Sequence, residues 1–181
     1  DTEYTAKAVT YSLKQLKDAV AEFGPMPPRG RLIVLTGGEP FRQNIGPAVR
    51  KLLAHGYKVQ IETNGTLYSP GPWEDPAVTI VISPKVPKIN ERIASYARAY
   101  KYVACANDIA EDGLPTTILG RWDGGLRVAR PPSSYTGRIY LQPADVKNET
   151  LNKANLDAVV ASCLRHGHFL CLQLHKIVGV E

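Results

Sequence analysis

The chain has 181 residues, of which 44% are hydrophobic and 22% charged, and its formal net charge is +5. That balance fits one compact soluble domain over residues 1–181, and no apolar stretch approaches the ~20 residues a membrane-spanning helix needs. The basic residues are scattered; the densest group, Arg121, Arg127, Arg130 and Arg138, has no accompanying aromatic stripe, so neither nucleic acid nor membrane is favoured as a partner.

In chain order, Leu13, Leu16, Val20 and Phe23 fall at helical spacing, with Thr10 or Ser12 as the cap. An apolar run at 31–35 predicts a first strand, and Ile45, Val49, Leu52 and Leu53 predict a second helix closed by Gly56 in a left-handed C-cap. Strand-like runs follow at 57–61, 78–82 and 102–104. The stretch 107–137 holds Pro115, Gly120, Gly124, Gly125, Pro131 and Pro132 and is expected to be a long excursion, a candidate cover for substrate. A run at 138–141, a helix carrying Leu156, Val159, Val160, Cys163 and Leu164 and ending at Gly167, and a last run at 169–174 complete the chain.

The runs are rich in Val, Ile, Leu and Tyr without steady polar alternation, which predicts parallel strands covered on both faces. The fold class expected is α/β, a parallel sheet that is open or curled into a partial barrel, with ligands beyond the carboxyl ends of the strands.

Small polar clusters sit at those ends: Thr36-Gly37-Gly38-Glu39-Pro40, Glu62-Thr63-Asn64-Gly65, Ser83-Pro84-Lys85, Gln142-Pro143 and His175-Lys176, the last pair terminating the final strand. Gly37-Gly38 lets the backbone approach a ligand, although a tight turn uses the same residues. Glu62 is either a rim ligand for a cationic or hydrogen-bonding group or a solvated strand end. Ser83 and Lys85 suit a carboxylate or ribose, or a plain surface turn. A lone His175 is more often structural than a ligand. No GxGxxG and no phosphate loop ending in Gly-Lys-Ser/Thr occurs. Cys105, Cys163 and Cys171 lie in apolar segments at no metal-site spacing and are expected to be buried free thiols of a cytoplasmic protein. Asn148-Glu149-Thr150 is read as a chance match to a glycosylation acceptor.

Taken together, Leu35-Thr36-Gly37-Gly38-Glu39-Pro40, Ile61-Glu62-Thr63-Asn64-Gly65-Thr66, Ser83-Pro84-Lys85, Leu141-Gln142-Pro143 and Leu172-Gln173-Leu174-His175-Lys176 resemble, in order and spacing, the 7-carboxy-7-deazaguanine synthases, which are radical S-adenosylmethionine (SAM) enzymes. The likeness extends to Asp1-Thr2-Glu3-Tyr4, a stretch that in the family directly follows the last cysteine of the cluster-binding motif. The chain therefore looks as though it starts past its cluster site, and Cys105, Cys163 and Cys171 do not replace the family's triplet.

The resemblance implies a partial barrel of the radical SAM type and three cofactors: SAM, a [4Fe–4S] cluster and Mg²⁺. It assigns Gly37, Gly38, Glu39, Ser83, Pro84, Lys85, Gln142 and Pro143 to SAM. Asp1, Thr36, Glu62, His175 and Glu181 go to the substrate, Glu181 through its terminal carboxylate, and Thr2 goes to Mg²⁺. No side chain is assigned as catalytic, because the hydrogen-abstracting 5′-deoxyadenosyl radical comes from SAM. The reaction implied converts 6-carboxy-5,6,7,8-tetrahydropterin to 7-carboxy-7-deazaguanine with loss of ammonia, in queuosine and 7-deazapurine biosynthesis, with an electron donor such as flavodoxin and a homodimeric enzyme. Two alternatives stay open: a radical SAM activase acting on a protein, and a cluster-less, non-catalytic derivative that binds a ligand or partner.

Overall fold

The computed structural model describes residues 10–24, 30–118 and 127–179, with the side chains of His175 and Ile177 outside that description. Six strands form one all-parallel sheet in strict chain order: β1 (Leu32–Leu35), β2 (Lys58–Thr63), β3 (Val78–Ile82), β4 (Ala97–Ala104), β5 (Arg138–Pro143) and β6 (Phe169–Leu170). Strands β1 and β6 do not pair, so the sheet is open, as expected of a partial barrel.

Three of the five helices among the described residues form where the sequence spacing places them, the first of them stopping before Phe23. Helix α1 (Leu13–Ala21) starts from a reciprocal capping box between Ser12 and Gln15. Helix α2 (Gly46–Ala54) ends before Gly56, whose φ is +80°. Helix α3 (Glu91–Ala94) is a single short turn that the sequence pattern does not announce, and a 3-10 turn covers Pro40–Arg42. Helix α4 (Glu149–His166) is capped by Asn148, whose side chain accepts from the Leu151 amide, and it ends on Gly167 in the left-handed conformation. That accounts for Asn148 in local structure.

Only one face of the sheet is fully covered. On the outer face Val59, Ile61, Ile80, Ile82, Tyr100, Tyr102, Ala104 and Leu141 pack with Val49 and Leu52 of α2, Val159 of α4, and Phe41, Trp73, Ile93, Leu114 and Val128. Phe41 and Trp73 meet edge to face with centroids 5.4 Å apart. The described residues leave the inner face open, where cover on both faces was expected. In β2 buried and half-buried residues alternate, with Gln60 and Glu62 on the open side. Strand β4 also begins at Ala97, well before the expected 102, because Arg98 and Lys101 interrupt its apolar character.

In its described part the excursion at 107–137 reaches the third strand end, where the Ala129 amide donates to the Val86 carbonyl at 2.9 Å and Pro115, Thr117, Ile118 and Val128 line a small pocket with Pro84 and Lys85. It packs on the outer face of the sheet beside β4, where a crossover helix would otherwise lie, and buries Leu114, Pro115, Val128 and Ala129. Buried Asp108 fastens it by accepting from the amides and hydroxyls of Thr116 and Thr117. Arg130 is bound to Asp112 at 2.7 Å and to the carbonyls of Pro115 and Leu114, so it is a structural strut rather than a free cation. Arg121 lies outside the described residues.

The last strand is the other correction. The expected run at 169–174 pairs with β5 only at Phe169 and Leu170, and the chain then turns into α5 (Leu174–Val178). Both β6 residues are exposed, so these apolar side chains lack the second neighbour that would prolong a buried strand. His175 and Lys176 consequently sit in a helix just past the sheet. Cys105 is buried as expected, whereas Cys163 and Cys171 are only half-buried.

Tyr100 and Tyr102 give a stability test. Both are fully buried, but the Tyr102 hydroxyl donates to the Ala129 carbonyl at 2.8 Å while the Tyr100 hydroxyl has no partner among the described residues. Tyr102→Phe is expected to cost about 1 kcal/mol of unfolding free energy, and Tyr100→Phe to leave stability unchanged or raise it by up to about 1 kcal/mol. Urea denaturation of the two variants checks the contrast.

Candidate functional site

The carboxyl ends of the strands are joined to one another by hydrogen bonds, and a buried carboxylate begins the chain of contacts. Glu39 follows the Gly37-Gly38 turn after β1. One oxygen accepts from the Phe41 amide at 3.0 Å and the Thr63 hydroxyl at 2.7 Å, and the other accepts from the Asn64 amide at 2.8 Å. The end of β1 is thereby fastened to the end of β2. The Ser83 amide then donates to the Thr63 carbonyl at 2.7 Å, adding the end of β3. Gly65, at φ +79°, makes this tight path possible, since a Cβ there would meet Ile82 at 2.7 Å.

On the other side, buried Asn155 of α4 accepts from the Ala106 amide at 2.8 Å and donates to the Ala144 carbonyl at 2.9 Å, holding together the exits of β4 and β5. Gln142 and Pro143 pair in register with Val103 and Ala104.

Four of the five clusters therefore share one rim. Thr36, Gly37 and Gly38 are exposed there, Ser83 and Gln142 are half-buried, and Pro84 is buried. Gly37 adopts φ +114° with open space where a side chain would start, so its backbone is accessible to a ligand. The Glu39 side chain is fully engaged inside the protein and leaves only its main chain for a ligand. The fifth cluster departs from its expected strand: His175 falls in α5, and Lys176 pairs with Asp145 just beyond β5. The Lys176 ammonium holds the Asp145 carboxyl well below the usual range, helped by the Lys147 amide and Asn152. Asp1, Thr2 and Glu181, and the His175 side chain, lie outside the described residues.

Below the rim, the open face encloses a cavity of about 1000 Å³ lined by Gln60 and Glu62, Lys101, Arg98, Arg138 and Phe169, among others. It reaches toward the amino ends of the strands and touches the predicted set only at Glu62. The Glu62 carboxylate receives the Lys101 ammonium at 2.7 Å and the Gln60 side-chain amide at 3.1 Å. Lys101 in turn faces Lys85: burial, and then the Lys101 charge, push the Lys85 ammonium pKa down. Lys101 and Gln60 are absent from the sequence-based set. The signal that would have found them is period-two alternation, Gln60 with Glu62 and Ala99 with Lys101 with Val103, which places these side chains on one face.

The rim fits SAM in two respects, an accessible glycine backbone at Gly37 and a poorly solvated cation at Lys85 suited to a carboxylate. The cysteines do not fit a cluster: Cys105 follows β4, Cys163 lies in α4 and Cys171 follows β6, and no group of three potential ligands forms among the described residues.

Comparison with known proteins places the chain in a family. A 7-carboxy-7-deazaguanine synthase of Rhodospirillum rubrum is 40% identical over 155 residues, which cover 82% of this chain and 65% of that protein. One from Bordetella pertussis is 30% identical over 169 residues, covering 91% of this chain and 67% of that protein. The chain belongs to the 7-carboxy-7-deazaguanine synthase family. It spans about two thirds or less of the length of the curated relatives it matches best, 65% for the first and 59% for one from Rickettsia prowazekii. The crystal structure of QueE from Escherichia coli superposes with a TM-score of 0.60 at 19% identity, over 90% of this chain and 64% of that one, and so shares the fold. No protein-family model matches the chain. No helix among the described residues is long and apolar enough to cross a membrane.

Two outcomes test the rim. Glu39→Ala strands a buried hydroxyl and two amides and is expected to cost about 3 kcal/mol in chemical denaturation. Lys85→Met is expected to stabilise the ligand-free protein at neutral pH. The folded-state pKa of Lys85 lies below its value of 10.5 in the unfolded chain, so folding opposes its protonation; this penalty is full below the folded pKa and disappears as pH rises past 10.5. The charge-dependent part of the stability difference between Lys85→Met and wild type should therefore fade in denaturation curves taken at increasing alkaline pH.

Proposed function

We propose that this chain carries the SAM- and pterin-facing rim of a 7-carboxy-7-deazaguanine synthase, the radical SAM enzyme that converts 6-carboxy-5,6,7,8-tetrahydropterin to 7-carboxy-7-deazaguanine with loss of ammonia for queuosine and other 7-deazapurines. The observation that carries the reading is the meeting of Gly37-Gly38, Ser83-Pro84-Lys85 and Gln142-Pro143 on one rim of a chain with this family relationship.

In this reading the Gly37, Gly38 and Glu39 main chain grips the SAM amino group, and Lys85, Ser83, Pro84, Gln142 and Pro143 bind the rest of the molecule. The ammonium of Lys85 has lost hydration and recovers favourable interaction from the SAM carboxylate. SAM, when bound, supplies the hydrogen-abstracting chemistry. Thr36, Glu62 and His175, together with Asp1 and the main-chain carboxylate of Glu181, hold the pterin, and the Thr2 hydroxyl is a hard oxygen ligand suited to Mg²⁺ beside the substrate carboxylate. Glu62 accepts hydrogen bonds from ring and amino N–H groups of the heterocycle. Because the three cysteines do not assemble, no step is assigned to a cluster on these residues. A homodimer, a flavodoxin-type electron donor and a cytoplasmic setting complete the reading.

Anaerobic assay of the full polypeptide with SAM, Mg²⁺ and the tetrahydropterin should give 7-carboxy-7-deazaguanine by mass spectrometry. Gly37→Val, which forces a branched side chain into φ +114°, should abolish SAM binding in calorimetry. SAM binding without pterin binding would favour an activase, and binding of neither would favour a non-catalytic derivative.

A further inference from the structure

We propose that Lys101 is a positioning residue for the pterin: it acts through Glu62, fixing that carboxylate so that its remaining acceptor sites meet two adjacent N–H donors of the heterocycle. This rests on the preceding assignment of Glu62 to the substrate.

Glu62 and Lys101 belong to strands that do not touch. Strand β3 runs between β2 and β4, and their side chains cross over it on the open face. In register with Glu62 on β3 stands Val81, which offers no hydrogen bond and is 7% exposed. The pair therefore bridges an apolar strip, where an ammonium and a carboxylate have few other partners. Both side chains keep roughly a quarter of their surface exposed, 21% for Lys101 and 27% for Glu62, so a ligand can reach them.

The use of the carboxylate oxygens decides what that ligand is. Lys101 Nζ occupies one acceptor site on Oε2 at 2.7 Å, and Gln60 Nε2 occupies one on Oε1 at 3.1 Å. An ionised carboxylate has about two lone-pair sites on each oxygen, so one on each remains. Two parallel acceptors of this kind match a planar edge presenting a ring N–H beside an exocyclic amino group, as a 2-amino-4-oxopyrimidine does. Neither Arg98 nor Arg138, the other cations lining the cavity, forms an ion pair with a described residue, so neither shares this task. Lys101 also adds its charge to the surroundings of Lys85, and so it stands between the groups assigned to the two ligands.

The test measures pterin binding to the full polypeptide by anaerobic calorimetry with SAM and Mg²⁺ present, and SAM binding separately. Lys101→Met should weaken pterin binding by about tenfold to a hundredfold and change SAM affinity far less, through its charge on Lys85 alone, and Lys101→Arg should keep most of the pterin affinity. In a Glu62→Gln background, Lys101→Met should add no further loss, because its effect passes through the carboxylate. Lys101→Gln, which keeps a donor without the charge, serves if the methionine variant does not fold. Wild-type pterin affinity in Lys101→Met or Lys101→Gln, additive losses in the double variant, or an equal fall in SAM affinity would overturn the inference alone. A wild-type protein that binds SAM but no pterin overturns the assignment of Glu62, and this inference with it.

Discussion

The rim depends on what the Glu39 carboxylate does inside the protein. A Gly-Gly turn at the end of an edge strand has little to hold it, since neither glycine has a side chain to pack. Burying a carboxylate beside such a turn is tolerable only if its oxygens are satisfied, and here an amide and a hydroxyl serve one oxygen while a second amide serves the other. The two amides and the hydroxyl come from both sides of the β1–β2 junction, so satisfying the charge fixes the relative height of two strand ends. The Thr63 carbonyl passes this alignment on to Ser83. The residue that makes the Gly-Gly-Glu-Pro element recognisable thus acts through its side chain on the fold, and its ligand role is left to the main chain.

The inner face carries the opposite electrostatic character. The ammonium of Lys101 there acts on that of Lys85 at the rim, and among the described residues Glu62 is the carboxylate paired with Lys101. Such an arrangement is unfavourable in the absence of a ligand and favourable toward an anion, the usual compromise where a site is kept ready to bind. The layer opposite bears no such tension: Asp108 and Arg130 there are saturated by near neighbours and serve to hold an irregular segment against Tyr100 and Tyr102.

Much of this was legible in the sequence because it is written locally. The helical spacing of Leu13, Leu16 and Val20, the Ser12 cap, Gly56 and Gly167 each act within a turn of chain, and the structure places them as read. Four of the rim clusters were legible because each lies at or directly after a strand end, and parallel strands bring those carboxyl ends to one edge. What was not legible depends on neighbours distant in sequence. Counting apolar residues extended the last strand to 174, although β6 has one partner and an exposed outer side. The same counting began β4 late, because Arg98 and Lys101 look like interruptions until an open inner face exists to receive them. The glycines and prolines of the excursion say only that it is irregular; what it packs against is decided by Leu114 and Val128 finding the outer face and by Ala129 bonding to Val86 beside Lys85.

The brevity of β6 has a consequence for the cavity. That wall hangs on two rungs to β5, Tyr140 to Phe169 and Leu141 to Leu170, with one more bond from the Cys171 amide to Leu141. Local opening begins where a segment has the fewest contacts to break, so this flank detaches well before the tightly laced side at β2 and β3. Solute in the hollow is therefore expected to exchange sideways past Phe169 before the strand tips open.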